Sequence, residues 1–241
     1  MKGCNIMDIK SLASSSAGNC YLLQENNQTL LLECGINIKD IRKSLNFKIS
    51  SLDGCLVTHS HSDHSKEVKK VIKYGINVYT SQGTQDVLNL DSHRIKTIKS
   101  LEQFNIKDWT ILPFDVVHDD PEPLNFFIQS PAGEKLVYIT DTMYVKQKFA
   151  ELNYIMIECN HSREILNQKV KDGVISPQQK KRIIQTHFGL EQVIKFLKAN
   201  DLSQVREIWL LHLSNRNSDA EEFKREIQAA TGKMIFVADK G

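Results

Sequence analysis

The amino-acid sequence predicts an α/β protein with two mixed sheets and with helices on both outer faces, folded as one domain over residues 1–241. Short apolar runs of strand length alternate with segments in which apolar residues recur at helical spacing. The chain is 41% hydrophobic and 25% charged, as in ordinary globular proteins, and its length allows a substantial core. The sequence has no low-complexity stretch, proline-rich linker or short-period repeat, which favours a single domain.

The first half of the sequence predicts strands separated by turn sequences such as SSSAGN and ENNQ. The predicted strands are IMDIKSLA, CYLLQ, TLLLE, GCLVT and INVYT. Helical spacing of apolar residues, such as Ile38, Ile41 and Leu45, predicts helices between them. The predicted helices are NIKDIRKSLNF, SKEVKKVIKY and GTQDVLNL.

The second half continues the same alternation of strands and helices. The predicted strands are TILPFDVVH, LNFFIQS, KLVYITD, YIMIEC, REIWLLHL and MIFVAD. DDPEP and SPAGE supply the turns between the first three strands. Helices are predicted over Tyr144–Glu151, Leu190–Ala199 and Ser218–Ala230.

One segment, residues 159–187, is strongly basic. Its basic residues are Arg163, Lys169, Lys171, Lys180, Lys181 and Arg182. Glu164 and Asp172 are its acidic residues. Two interpretations stand side by side: a solvated helical hairpin, or a basic insertion that covers the functional site and attracts an anionic substrate.

Composition limits the classes of partner and compartment. A net charge of +2 with neutral histidines is too weak to indicate a long polyanionic partner by itself. The five cysteines include no CxxC pair and fall mostly in apolar runs, which predicts buried free thiols in a reducing compartment. The amino-terminal sequence and the short apolar runs suggest neither a signal peptide nor a membrane span, so a cytoplasmic protein is expected.

The sequence THSHSDH, residues 58–64, lies between a predicted strand and a predicted helix. In extended chain His59 and His61 point the same way, because side chains alternate with period two. Asp63 and His64 start the helix and turn back toward the same point. Converging imidazoles and a carboxylate suit zinc or a similar ion, so this spacing predicts a metal site.

THSHSDH resembles the signature of the metallo-β-lactamase-fold hydrolases, whose fold is an αββα sandwich. The resemblance implies two metal ions with the ligands His59, His61, Asp63, His64, His118, Asp141 and His212. His118, Asp141 and His212 each end a predicted strand, in FDVVHDD, VYITDT and WLLHLSNR. Asp141 would bridge both metals. The true β-lactamases carry cysteine there, so the aspartate suggests the phosphodiesterase, nuclease and glyoxalase-like branches.

Two further resemblances narrow the class. YIMIECNH and QTHFGLEQV are similar to the pattern of the RNase Z group, which implies that Glu158 and His187 form a proton-transferring pair. The amino-terminal SLASSSAGNCYLL is similar to the YycJ/WalJ-type group, which is associated with metal-dependent 5′-to-3′ DNA exonuclease activity. Glu33 stands where the family usually has aspartate, as a partner of the ligand histidines.

Substrate-binding residues are expected in two places. The Ser-rich loop offers Ser15, Ser16 and Asn19 to a phosphate, with a plain β-turn as the alternative. His161, in the ECNH sequence, is predicted to face the substrate, and His93 is predicted to be a surface residue.

The resemblance implies phosphodiester hydrolysis by a hydroxide shared between two zinc or manganese ions and oriented by Asp63. The first substrate hypothesis is DNA, cleaved by a 5′-to-3′ exonuclease. A cyclic-nucleotide phosphodiesterase of the phage anti-immune type is the alternative, and a glyoxalase-like thioesterase is a weaker one. A metal-stabilised binding module without catalysis also remains, and a homodimer is compatible with all of them.

Overall fold

The computed structural model describes residues 6–241, so Cys4 lies outside the described residues. It divides the chain into two compact units. Unit 1 runs to Asp115 and includes Asp120–Glu134 and Asp239–Gly241, and unit 2 comprises Val116–Asp119 and Lys135–Ala238. The single domain over residues 1–241 stays a prediction. No helix in the described part of the chain has the length and apolar character needed to cross a membrane.

Unit 1 contains a mixed six-stranded sheet. Its strands, in spatial order, are β1 (Asp8–Ser15), β2 (Gly18–Glu25), β3 (Gln28–Leu32), β4 (Gly54–Leu56), β5 (Val78–Thr80) and β6 (Ile95–Thr97). β1, β2 and β3 pair antiparallel, whereas β3 to β6 pair parallel. Helices connect the parallel strands, as parallel pairing requires.

Four short helices belong to this unit. They are α1 (Ile38–Ser44), α2 (Ser62–Ser65), α3 (Val68–Lys73) and α4 (Gln82–Val87). Side-chain caps start two of them, since Asn37 accepts from the Lys39 amide and Ser81 from the Thr84 amide. The apolar faces of α1 and α3 pack on the sheet in one buried cluster that includes Ile41, Val71 and the thiols of the strands. Cys20, Cys34, Cys55 and Cys159 are free and buried, which confirms the prediction for these four.

An antiparallel meander completes unit 1. It consists of β7 (Phe104–Ile106), β8 (Trp109–Asp115) and β9 (Leu124–Gln129). The short strands β6 and β7 were absent from the sequence-based prediction, because three residues are too few to produce a periodic signal.

Unit 2 is built on four parallel strands. In chain order they are β10 (Lys135–Ile139), β11 (Tyr154–Glu158), β12 (Glu207–Leu211) and β13 (Met234–Val237). The helices of this unit are α5 (Arg163–Lys171), α6 (Pro177–Thr186), α7 (Leu190–Ala199) and α8 (Ala220–Thr231). A capping box of Ser176 and Gln179 starts α6, and Gly232 in the left-handed conformation ends α8.

The helix predicted over Tyr144–Glu151 is wrong, because this segment has no regular structure. Val145 and Phe149 have helical spacing, but tertiary contacts determine the backbone. The Phe149 amide donates to the Asn200 side chain at 2.8 Å, and the hydroxyl of Thr142 donates to the Tyr144 carbonyl at 3.0 Å. These hydrogen bonds replace the intrahelical ones, so tertiary contacts override the weak helical pattern of the sequence.

Three residues that follow strands have a left-handed backbone. Glu33, Asp141 and His212 have φ values of 60°, 42° and 51°. This conformation costs a non-glycine residue about 1–3 kcal/mol and persists only where surrounding contacts enforce it. All three are predicted to belong to the metal site or its support, and nine other described non-glycine residues share a positive φ, so this conformation is not confined to the candidate site.

Gly35 lies directly against the backbone of the THSHSDH sequence. A Cβ at Gly35 would meet the Asp63 carbonyl oxygen at 1.7 Å and the His64 nitrogen at 2.9 Å. The neighbouring Cys34 amide donates to the His64 carbonyl at 2.8 Å. The segment after β3 therefore sets the position of the turn that carries Asp63 and His64.

We expect Gly35→Ala to displace this turn, to lower stability by about 1–3 kcal/mol through overpacking, and to reduce bound metal. Urea unfolding and metal analysis of the purified protein measure the two effects. Gly173→Ala is the control. The Cβ of an alanine there would meet nothing within 4 Å, although the φ of 68° would strain it. The control should lose stability and keep its metal content. Equal metal loss in both variants would contradict the role of Gly35.

Candidate active site

His59 and His61 bring two ring nitrogens face to face after β4. His59 Nε2 lies 3.1 Å from His61 Nδ1, and the other nitrogen of His59 lies 2.8 Å from the Thr58 hydroxyl. His59 is buried, whereas the His61 side chain is 42% exposed. The pair thus combines a buried imidazole, His59, with a solvent-exposed one, His61.

Asp63 and His64 form a second pair, at the first turn of α2. Asp63 Oδ2 lies 3.3 Å from His64 Nε2. The Asn19 amide contacts both, at 3.2 Å from Asp63 Oδ2 and 3.1 Å from His64 Nε2. The His59 and His64 ring centroids are 4.2 Å apart, so unit 1 brings all four residues of the motif together.

The carboxylate of Glu33 contacts this cluster from the protein interior. Its side chain is fully buried, with Oε1 at 3.5 Å from His64 Nδ1 and Oε2 accepting the Thr58 amide at 3.3 Å. A carboxylate behind a ligand imidazole orients the ring and raises its basicity. The predicted partnership of Glu33 with the motif histidines agrees with these contacts.

Asp120 also belongs to this cluster and was missed from the sequence. Its Oδ2 accepts hydrogen bonds from the amide of Ser60, at 3.3 Å, and from the Ser60 hydroxyl, and it lies 3.9 Å from His61 Nε2. The signal that could have found it is the HDD sequence after β8. Its contact with the loop between two candidate ligands gives it a positioning role.

In unit 2, His118 touches the end of the basic segment. Its Nδ1 lies 3.2 Å from the carbonyl oxygen of Thr186, the last residue of α6. Arg182 of the same helix lies 3.7 Å from Asp119. The segment 159–187 forms the α5–α6 hairpin, so its end lies on a candidate ligand of its own chain.

Asp141, Glu158, His187 and His212 form one buried cluster at the carboxyl ends of the parallel strands. Their ligand atoms all lie within 4.8 Å of one another. Glu158 is central, because its Oε1 lies 2.7 Å from His187 Nδ1 and 3.0 Å from His212 Nδ1. Asp141 Oδ1 lies 2.8 Å from His212 Nδ1 and 3.3 Å from His187 Nδ1. One carboxylate therefore positions both a candidate ligand and the candidate proton donor.

The protonation of His187 follows from these neighbours. Burial alone would lower the pKa of the imidazole, but the carboxylates of Glu158 and Asp141 outweigh burial and raise its pKa to about 10. Glu158 also accepts the Phe188 amide at 2.9 Å, which anchors the backbone beside His187. The His187 side chain is 24% exposed, so its ring can reach a bound molecule.

His161 differs from the other histidines. It has no exposed surface, and neither ring nitrogen has a hydrogen-bond partner among the described residues. Burial lowers its pKa to about 4, against the opposing effect of Glu158, so the ring is neutral at pH 7. A Cβ at Gly189 would lie 2.8 Å from His161 Nε2. Contact with a substrate stays a prediction for this residue.

The three candidate residues of the amino-terminal loop, Ser15, Ser16 and Asn19, differ in burial and in contacts. Ser15 is buried and its hydroxyl accepts the Ala17 amide at 3.3 Å, whereas Ser16 is exposed. Asn19, predicted to bind substrate, is fully buried with its amide on Asp63 and His64. The structure thus gives Asn19 the position of a support for candidate ligands, and substrate binding by the two serines stays a prediction.

The donor set fits divalent metal ions. In a tetrahedral zinc site, two imidazole nitrogens bound at about 2.0–2.1 Å lie roughly 3.3 Å apart. The facing nitrogens of His59 and His61, at 3.1 Å, and the Asp63–His64 pair, at 3.3 Å, match this spacing. Mixed imidazole and carboxylate donors suit zinc and manganese alike.

A family profile described as "Beta-lactamase superfamily domain" matches residues 29–213, so the chain belongs to the β-lactamase superfamily. It is a metal-dependent hydrolase with the metallo-β-lactamase fold. The crystal structure of the metallo-β-lactamase fold protein YhfI from Bacillus subtilis superimposes with a TM-score of 0.74, at 15% identity and over 98% of both chains. The predicted fold class, an αββα sandwich, is confirmed.

Two similar proteins place the chain more closely within the superfamily. Exodeoxyribonuclease WalJ of Streptococcus pneumoniae is 30% identical in an alignment of 227 positions that covers 87% of this chain and 82% of that protein. Exodeoxyribonuclease YycJ of Bacillus anthracis is 29% identical in an alignment of 228 positions that covers 87% of this chain and 83% of the relative. The resemblance to the YycJ/WalJ-type group is confirmed.

We expect Glu33→Gln to weaken metal binding about 10- to 100-fold, because the orienting carboxylate behind His64 loses its charge. Competition with a chromogenic chelator measures the affinity. Glu25→Gln is the matched control, since Glu25 is a buried glutamate of the same sheet that bonds Ser130 and Ala132 instead. Equal metal affinity of the two variants would contradict the support that Glu33 gives.

Proposed function

We propose that the protein is a metal-dependent phosphodiesterase that degrades DNA as a 5′-to-3′ exonuclease. The observation that carries the proposal is the Glu158–His187 pair, at 2.7 Å, beside the strand-end residues Asp141 and His212. An imidazole held by a buried carboxylate beside a metal site can donate a proton to a leaving oxygen. The exodeoxyribonuclease relatives, similar over 87% of the chain, support DNA as the substrate.

The candidate ligands are proposed to hold two divalent ions in one centre. The proposed ligands are His59, His61, Asp63, His64, His118, Asp141 and His212. Bound zinc or manganese would activate a water for attack on phosphorus and neutralise charge on the phosphoryl oxygens. Family membership and the ligand-like spacings within each unit support this assignment.

The chain's own residues have separate roles in this proposal. Asp63 orients the attacking water, while His187 donates a proton to the leaving oxygen. Glu158 fixes the His187 ring through Nδ1, which leaves Nε2 to face the substrate. Glu158 also positions His212, so its replacement would affect both metal binding and proton transfer.

The α5–α6 hairpin is proposed to cover the centre and to attract the phosphate backbone. The contact of Thr186 with His118 supports the cover, and the hairpin's basic residues support the attraction. Ser15 and Ser16 are proposed to bind a phosphate. This cover would lie on the centre of its own chain.

Replacement of His187 by Asn tests the proton donor. We expect turnover of 5′-phosphorylated DNA to fall about 10²- to 10⁴-fold, the usual contribution of general acid catalysis. Thymidine 5′-(p-nitrophenyl phosphate) should lose far less, because nitrophenolate leaves without a proton. Rates are measured on both substrates with protein of verified metal content.

His93→Asn is the matched control for this test, because His93 is an exposed histidine outside the cluster. It should keep the activity of the unchanged protein on both substrates. His61→Ala and Asp141→Ala should abolish both activities together with metal binding. An equal loss on the two substrates in His187→Asn, with metal retained, would exclude proton donation by His187.

A substrate panel tests the proposed class. We expect release of nucleotides from the 5′ end of phosphorylated DNA, with an affinity that falls steeply as salt rises, since phosphate contacts release counterions. The panel includes a 3′,5′-cyclic nucleotide and S-lactoylglutathione, both of which should be poor substrates. Efficient, salt-insensitive hydrolysis of the cyclic nucleotide would favour the alternative phosphodiesterase, and thioester cleavage would favour the glyoxalase-like class.

A further inference from the structure

A cavity of about 200 Å³ lies in unit 2, between the irregular segment 144–148 and helix α7. Tyr144, Gln147, Phe188, Gln192, Lys195 and Phe196 line it. Sites for drug-sized ligands occupy about 300–1,000 Å³, so this cavity suits one ring system rather than a whole large ligand. Its wall exists because the predicted helix over 144–151 does not form.

The walls of the cavity are aromatic. Phe188 and Phe196 are buried and pack edge to face, with ring centroids 6.3 Å apart. Tyr144, at the mouth, is 53% exposed and available for stacking. Flat heterocycles such as nucleobases stack on aromatic side chains of this kind.

Two of the lining residues carry a buried side-chain oxygen without a partner among the described residues. Gln147 Oε1 and Gln192 Oε1 are buried, and neither has a hydrogen-bond partner among the described residues. A Cβ at Gly189 would lie 2.9 Å from Gln192 Oε1 and 2.8 Å from His161 Nε2. The absence of a Cβ at Gly189 thus leaves room for the Gln192 and His161 side chains. Buried acceptors of this kind are costly unless a ligand or water satisfies them.

The mouth of the cavity is cationic. Lys146, Lys148 and Lys195 are exposed, and its lining residues include no acidic side chain. Such a cluster attracts an anionic group at the edge of an otherwise apolar site. An uncharged apolar ligand would leave the lysines and the amide oxygens unused, and a simple anion would leave the aromatic walls unused.

The cavity is linked to the proposed catalytic pair through Phe188. The Phe188 ring lines the cavity, while its amide donates to Glu158 Oε2 at 2.9 Å. At the other wall, Tyr144 follows Asp141 by three residues. Phe188 therefore connects the wall of the cavity to the carboxylate of the proposed catalytic pair.

We propose that this cavity binds one nucleobase, with the amides of Gln147 and Gln192 accepting from its N–H groups and the lysines binding its phosphate. The proposal rests on the proposed function and deepens it, because it assigns a nucleotide subsite. Stacking tolerates every base, whereas the amide acceptors favour bases that carry an exocyclic amine.

Equilibrium binding tests the subsite without any catalytic step. Isothermal titration of the metal-loaded protein uses AMP, CMP and UMP, with ribose 5-phosphate as the probe that lacks a base. We expect the three mononucleotides to bind more tightly than ribose 5-phosphate, and AMP and CMP more tightly than UMP, which has no exocyclic amine. Gln192→Ala should weaken AMP binding about fivefold, the factor that corresponds to one hydrogen bond, and Lys195→Ala should weaken it to a similar degree.

Lys198→Ala is the matched control, because Lys198 is an exposed lysine of the same helix that does not line the cavity. It should bind AMP as the unchanged protein does, and circular dichroism checks the fold of all variants. Equal affinity for AMP and ribose 5-phosphate, or equal effects of Lys195→Ala and Lys198→Ala, would overturn the subsite. Base-dependent binding in a protein that does not degrade DNA would keep the subsite and reject the exonuclease.

Discussion

Two fully buried carboxylates hold three of this protein's imidazoles in place. Glu33 follows β3 and Glu158 ends β11, and each has no exposed surface. A buried carboxylate requires donors around it, and the donors here are histidine rings and backbone amides. Glu33 faces His64, while Glu158 faces both His187 and His212. The same requirement therefore shapes both clusters, and the candidate ligands His64 and His212 gain fixed orientations from it.

Glu158 would link the proposed metal binding to the proposed proton transfer. His212 is a candidate ligand and His187 is the candidate acid, and both rings contact the same Oε1 atom. A shift of this oxygen would change both proposed functions together. The Phe188 amide donates to the other oxygen, Oε2, so Glu158 also holds the backbone of a residue whose ring lines the cavity.

The proposed chemistry and the proposed substrate contacts belong to different parts of the chain. In unit 2 the candidate residues Asp141 and His212 follow strands, which are rigid platforms, whereas the proposed cover and the proposed nucleobase subsite belong to the α5–α6 hairpin and to the irregular segment 144–148. This division suits a superfamily in which one metal site supports several hydrolytic reactions. The candidate metal ligands could be inferred from motifs, whereas the proposed nucleobase subsite could not.

The sequence by itself determined the fold class, the strands that carry the site and the candidate ligands, because THSHSDH, the strand-end acids and the apolar periodicity are local signals. Only the tertiary structure decided the rest. Asn19 supports His64 rather than standing at the surface, Asp120 reaches Ser60, and residues 144–151 remain irregular. These features depend on contacts between residues far apart in the chain, such as Phe149 with Asn200, and such contacts leave no periodic pattern in the sequence.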